Sequence, residues 1–308
     1  MENRSQRILV LLSFFAIYVI WGSTYLLNKV AVSELPPFML AGFRFTIASV
    51  LIFGLAALMG KSLKITPRQL WNTAVAGFLF LSFGNGVVVW ALKYVDSNFA
   101  ALEISAQPLI VLLMMWGIRG QAIRPMSMIG ILLGILGIYL LVNQDAVIRD
   151  QYAWAGVAMI FAAMLAWGYG SLFVGTADLP RNTFVNTGYQ MATGGVMLMG
   201  MSWALGETWT NPLDWQAQTH WSMLLLILFG SIAAFTAFNF LLKTVSPEKV
   251  STNTYVNPIV AMLFGWLYLD ETISAQSVVA AVILLTGVYF INVHRNPIRS
   301  RWFRSKAH

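Results

Sequence analysis

Two apolar stretches carry side chains that hydrocarbon would reject. SNFAALEISAQPLIVLL (97–113) holds Glu103 and Gln107, with Pro108 next in the chain. KVSTNTYVNPIVAMLF (249–264) holds Asn253, Tyr255 and Asn257, with Pro258 next. In a continuous helix, a spacing of four puts Glu103 with Gln107 on one face, and Asn253 with Asn257 on another. Each proline lacks an N–H and frees the carbonyl four residues back, at Ile104 and Thr254. Amides, a carboxylate and free carbonyls need water, protein or a polar ligand against them. Bonds to neighbouring helices would use the amides structurally, at ~0.6 kcal/mol each. A lined cavity would use them for recognition.

Glu103 is the sharpest single residue, because a carboxylate inside a bilayer is costly unless paired. It could carry a proton or balance a cationic substrate. Its structural alternative is an ion pair with Arg44, which sits at similar depth when residues are counted from the helix ends. Further candidates for a cavity wall are Trp21 and Tyr25, one turn apart, and Trp167 in the matching stretch WGYGS. Asn85 lies between two glycines in SFGNGVVVW (82–90), and Asn239 lies in AAFTAFNF (233–240). Most other Trp and Tyr residues are expected to anchor at the interface or pack.

Other chemistries have no residues to stand on. The chain has no Cys, and its three His fall in expected loops or the tail, so no metal site or cofactor is expected. No HExxH, GxSxG or GxxxxGK[ST] motif occurs, which removes hydrolase and ATPase readings. The chain is therefore expected not to be an enzyme.

The elements that must position these residues are membrane helices. The 308 residues are 58% hydrophobic and only 10% charged, with a mean hydropathy of +0.70. A soluble domain carries roughly 25% charged residues. Ten apolar segments can be read, at 8–32, 36–59, 70–92, 97–117, 125–143, 154–174, 183–205, 220–243, 250–269 and 275–293. With the N-terminus in the cytoplasm, the inside loops and tail hold fifteen Lys and Arg, and the outside loops only Lys93 and Arg149. Both termini are thus expected to be cytoplasmic. The net charge of +7 is accounted for by topology and an anionic lipid surface, so nucleic acid is not an expected partner.

The segments repeat. Trp21-Gly22 matches Trp167-Gly168 at a spacing of 146, as do Gly42 with Gly188 and Arg44 with Gln190. Further on the spacing is 150, from Lys93 with Lys243 through Pro108 with Pro258 to Tyr139 with Tyr289. The fold class expected is an all-α polytopic membrane protein of ten transmembrane helices, built as two inverted five-helix repeats. The repeats are read as residues 1–146 and 147–293, followed by a basic cytoplasmic tail, 294–308. An odd helix number forces the second copy to enter the membrane reversed. The charges agree: Arg119 and Arg124 follow the fourth segment, whereas Asp270 and Glu271 follow the ninth.

YVIWGSTYLLNKVAV, PPFMLAGFRFTIAS, FGNGVVVWAL, YVNPIVAMLFGWLYLDE and LLTGVYFINV together resemble the drug/metabolite transporter superfamily, EamA type. The resemblance covers essentially the whole chain. It implies a central cavity reached by alternating access, with the third, fourth, eighth and ninth helices at its heart. It also implies a bacterial inner-membrane location and export of amino acids, other metabolites or toxic organic cations. Glu103 departs from the family pattern, which carries an apolar residue there.

The reading that follows is a secondary transporter of a small-molecule substrate, with amino acids first and aromatic or cationic compounds second. Protons are the candidate coupling ion, through Glu103 with Arg44 setting its charge state. The competing readings are a membrane enzyme acting on a lipid-linked substrate and a non-transporting sensor or assembly subunit. Duplication lets a monomer supply both halves, and free apolar faces could also support a homodimer.

Overall fold

The computed structural model describes residues 4–120, 122–144, 152–245, 250 and 253–292. Helix starts follow local chemistry. Pro37, Pro67 and Pro125 open helices where the missing N–H costs little. Thr66 and Gln69 satisfy each other's backbone in a capping box.

Ten apolar helices result. In the first half, α1 runs through Arg4–Phe15, a π-helical stretch Ala16–Ile20, and Trp21–Val32. Helix α2 is Pro37–Leu58; α3 joins Pro67–Gly77, a π-helical stretch Phe78–Asn85, and Gly86–Ala91. Helix α4 comes in two pieces, Ser97–Ile104 and Gln107–Arg119, and α5 is Pro125–Val142. In the second half, α6 is Ala153–Val174 and α7 is Thr183–Ala204. Helix α8 joins Ala217–Leu225, a π-helical stretch Leu226–Ala233, and Ala234–Thr244. Helices α9 and α10 are Asn253–Leu269 and Ala275–Asn292.

Every expected segment is met by a helix in order, and the described residues contain no strand. Seven of the helices are long and apolar enough to cross a bilayer by themselves. Helix α7 is not among them; it carries Asn186, Thr187 and Gln190, all buried. The basic tail, 294–308, lies outside the described residues, as do Asp145, Arg149 and Asp150.

The two halves are related by pseudo-two-fold packing. Helix α2 lies along α7 and α5 along α10, each against its own counterpart; α1 lies on α9 as α6 lies on α4. Close approach is bought by glycine at matched places. A Cβ on Gly42 would stand 2.8 Å from Met199 Sδ, and one on Gly188 would stand 2.6 Å from Phe53 Cε1. Phe53 and Met199 are themselves 146 apart, so one contact is made twice. The helix ends also correspond. Gly60 (φ 68°) follows α2 as Gly206 (φ 69°) follows α7, and Gly120 (φ 62°) follows α4 as Asp270 (φ 53°) follows α9. Asp is one of the few other residues that enters this left-handed region. The π-helical stretches of α3 and α8 share a place too, with Phe83-Gly84 and Phe229-Gly230 again 146 apart.

Short links make successive helices antiparallel, so the bundle has two ends. One carries the N-terminus and the links at 59–66, 120–124 and 175–182. The other carries the links at 33–36, 92–96, 205–216 and 270–274.

Candidate substrate cavity

The duplicated Trp-Gly pair lies at the centre of the bundle. Trp21 and Trp167 meet edge to face, with ring centroids 5.8 Å apart and planes at 81°. Phe238 packs against both rings. The glycines work on the outer side of the same helices. A Cβ on Gly22 would stand 2.7 Å from Val260 Cβ on α9, and one on Gly168 would stand 3.0 Å from Met114 Sδ on α4. Tryptophan thus faces the axis while glycine seats α1 on α9 and α6 on α4.

The amides beside the prolines complete the seating. Gln107 Nε2 donates to Met164 O at 3.1 Å. Asn257 donates to Tyr18 O at 2.7 Å and Ile17 O at 2.9 Å, and accepts from Asn253 Nδ2 at 3.2 Å. Tyr18 and Met164 are 146 apart, so this clamp is also made twice. Ile17 and Tyr18 belong to the π-helical stretch of α1, where the backbone ladder is loosened and carbonyls take outside donors.

Around this centre lies a cavity of about 430 Å³, within the range of small-molecule sites. Its wall includes Trp21, Tyr25, Asn28, Arg44, Asn85, Gln107, Pro108, Trp167, Asn253, Asn257 and Pro258. It runs to loop and helix-end residues at the N-terminal end only, among them Ala122, Arg124, Gly175 and Val250. At the other end it stops inside the bundle, near Asn28, Arg44 and Ala101.

Three expected placements are corrected. Glu103 is not on the wall, although Gln107 is. The helix breaks at Ser105–Ala106, just ahead of Pro108, with Ala106 N turning back to Glu103 O. The i, i+4 relation that would align the two side chains is lost. Glu103 is only 2% exposed, and its Oε2 has no hydrogen-bond partner among the described residues. Pro258, by contrast, sits inside an unbroken α9. Second, Arg44 does not pair with Glu103. Its Nε donates to Ser231 Oγ at 2.8 Å and its Nη1 to Asn28 Oδ1 at 3.3 Å. The side chain of Arg44 is directed to α8 and α1. Third, Asn239 is off the wall. It donates to Thr187 Oγ1 (3.2 Å) and Gln190 Oε1 (3.4 Å) and accepts from Asn186 Nδ2 (3.3 Å), a network buried between α7 and α8. The side chain of Tyr255 lies outside the described residues.

Residues missed by sequence reasoning include Ser231 and Gly230 of α8. Gly230 O accepts from Trp21 Nε1 at 3.2 Å. Their signal was the Phe-Gly pair repeated in α3 and α8. Lys29 ties the end of α1 to that of α3. Its Nζ donates to Leu92 O (2.8 Å) and Val95 O (2.7 Å) at the end of α3 and lies 3.9 Å from Asp96. Among the described residues no group of His, Asp and Glu could hold a metal ion.

Comparison with known proteins agrees with this architecture. The EamA-like transporter family matches the chain twice, at residues 8–143 and 154–293. The inner membrane transporter YedA of Escherichia coli K12, described as uncharacterized, is 34% identical over 285 residues, covering 91% of this chain and 90% of that protein. The transporter YoaV of Bacillus subtilis, likewise described, is 23% identical and covers 91% and 95%. A WAT1-related chloroplastic protein of Arabidopsis thaliana is 26% identical, covering 94% of this chain and 73% of its own. A protein crystal structure with 21% identity superposes at a TM-score of 0.67, covering 94% and 96% of the two chains, and so shares the fold.

Proposed function

The chain belongs to the EamA-like transporter family, and from that premise we propose that it is a secondary active transporter exporting small metabolites, amino acids or related compounds, by alternating access. The observation that carries this reading is the central cavity. It lies between the two repeats, takes wall residues from both, and reaches only one end of the bundle. Rocking of one repeat against the other would close that end and open the opposite one. The bacterial inner membrane is the proposed location, as the name of the Escherichia coli relative states for that protein. Both termini face the cytoplasm in this proposal, with repeats at 1–146 and 147–293 and a basic tail at 294–308.

Protons are the proposed coupling ion, carried by Glu103. Its burial, its unpartnered oxygen and its position one turn before the wall residue Gln107 support that role. The second reading, export of aromatic organic cations, has the Trp21 and Trp167 rings in its favour. Among the described residues no acid lines the wall to hold the charge. No reaction chemistry is proposed, and one chain supplies both halves of the cavity whether it works alone or as a homodimer.

The test is flux in sealed proteoliposomes with a pH dye inside, using a panel of amino acids and organic cations. Wild type and Glu103→Gln run side by side. Substrate-dependent proton flux lost in the variant is the expected result. Substrate uptake that persists with no proton movement would remove proton coupling, and absence of any flux would remove the transporter reading.

A further inference from the structure

Arg44 is 2% exposed, yet its guanidinium forms part of the cavity wall. An arginine side chain stays charged in proteins and offers five N–H donors. Two of them meet Ser231 Oγ and Asn28 Oδ1, both neutral acceptors. The Phe45 ring covers one face, 4.7 Å from Cζ. Nη2 has no hydrogen-bond partner among the described residues. Beside it is Gly230, where a Cβ would stand 3.0 Å from that nitrogen. Glycine at this place keeps the guanidinium edge clear. Among the described residues the ion pair formed is Lys29 with Asp96, so no carboxylate neutralises Arg44. A buried charge without a countercharge is costly in a membrane protein, and the open side of this one is the cavity.

The rest of the wall has the same polarity. Among the described residues its charged members are Arg44, at the inner limit, and Arg124, at the mouth, and no Asp or Glu lines it. Asn85 is on the wall as well, with its Oδ1 buried and without a hydrogen-bond partner among the described residues. A cation and the apolar rings of Trp21, Trp167 and Phe238 therefore share one cavity. The repeat partner of Arg44 is the neutral Gln190, whose amide is engaged with Asn186. The charge is thus an addition to one half and no requirement of the shared packing.

The geometry points to a substrate with a free carboxylate, which Arg44 binds; the cargo class is small organic acids, α-amino acids included. The fork of a guanidinium matches a carboxylate in two parallel bonds. Arg44 neutralises a monoanion, and the rings take the side chain. A phosphate dianion would leave charge unbalanced at the inner limit. An organic cation would sit beside Arg44 with no acid to hold it. This inference rests on the transporter reading for its meaning in the cell, and it names the substrate class of that same cavity.

The experiment measures thermal stabilisation of the full chain in nanodiscs. The probes are the standard α-amino acids, each paired with its methyl ester and its decarboxylated amine, together with phenylpropionate and phenyl phosphate. In wild type, acids are expected to bind and their esters and amines to bind at least about tenfold more weakly. Arg44→Gln is expected to abolish the preference. Arg44→Lys keeps the charge without the fork, and is expected to keep the preference at reduced affinity. Esters or amines that bind as well as the acids, or no acid that binds, would overturn the assignment from wild type alone, whether or not the variants fold. So would an acid preference that survives in folded Arg44→Gln, and phenyl phosphate binding tighter than every carboxylate would replace the class. The same compounds in proteoliposomes separate the two readings. Acids that bind at Arg44 without flux would defeat transport and leave the carboxylate site. Flux of amines alone would defeat the carboxylate site and leave transport.

Discussion

The two ends of the bundle are built from repeated parts but are fastened differently. At the end where the cavity stops, three carboxylates each accept from the backbone at the start of a helix in the opposite half. Glu271 takes Ser97 N (2.8 Å), Ser97 Oγ (2.9 Å) and Asn98 N (3.1 Å) at the start of α4. Glu207 takes Phe38 N (3.1 Å) and Met39 N (2.8 Å) at the start of α2. Glu34 takes Gln216 N (3.0 Å) ahead of α8. Orphan N–H groups and the helix dipole both favour a carboxylate there. By the repeat spacings the equivalent residues are Pro180, Lys61 and Gln121, none of them acidic. Alternating access, as proposed above, would need two conformations, and the three carboxylate caps seen here lie at the end where the cavity stops.

The largest effect is expected from Glu271→Ala. Glu271 is buried, and its three bonds are charge-assisted, so their loss should cost the closed end about 3 kcal/mol, or roughly a hundredfold in the conformational equilibrium. The chain has no Cys, so Ala101→Cys on the cavity wall supplies a single thiol. A membrane-impermeant maleimide applied at the face carrying residues 33–36 should label it rapidly in the Glu271→Ala background and slowly in its absence. Equal labelling in both would show that Glu271 does not hold this end shut.

The second prediction tests how equal the halves are. Gly22 faces the branched Cβ of Val260 and Asn257 O at 3.2 Å, whereas Gly168 faces the flexible thioether of Met114. Gly22→Ala should therefore cost about 1–3 kcal/mol by overpacking. Gly168→Ala should cost less, because Met114 can move aside. Melting temperatures of the purified variants measure both, and equal losses would mean that the two seams are equally rigid.

How much was legible follows from what a sequence encodes. Apolar runs and the two spacings located all ten helices and the repeat, because both depend on order along the chain. The 146 spacing reaches to single contacts, as Tyr18 and Met164 show. What failed was azimuth. Glu103 and Gln107 share a face only if the helix is continuous, and the turn at Ser105–Ala106 breaks it. Depth placed Arg44 level with Glu103, yet Ser231 and Asn28 lie in the direction it points. Asn239 was visible as a buried amide, but nothing along the chain named Asn186 and Thr187 as its partners. None of the caps made by Glu34, Glu207 and Glu271 was legible along the chain, because a cap is a relation between distant segments.

A smaller effect is expected from Glu207→Gln. Its two bonds resemble those of Glu271, and a glutamine oxygen can still accept one of them, so a loss of about 1 kcal/mol is expected. The labelling rate of Ala101→Cys should rise roughly fivefold. A change as large as that of Glu271→Ala would show that charge, and not the number of bonds lost, sets the strength of the latch.

The smallest effect belongs to Glu34→Gln, and it is the sharpest test of why the caps differ. Glu34 meets one exposed backbone donor, which both of its oxygens share, and water can replace either partner. Exposed charge interactions contribute at most about 1 kcal/mol and weaken with salt. Labelling of Ala101→Cys in Glu34→Gln should thus change less than about threefold at low salt and not measurably at high salt. An effect equal to that of Glu271 would mean that burial is not what makes a cap strong. The closed end would then be held by the summed charge of its three acids, and Glu34→Gln, Glu207→Gln and Glu271→Gln should all give one value that falls together as salt rises.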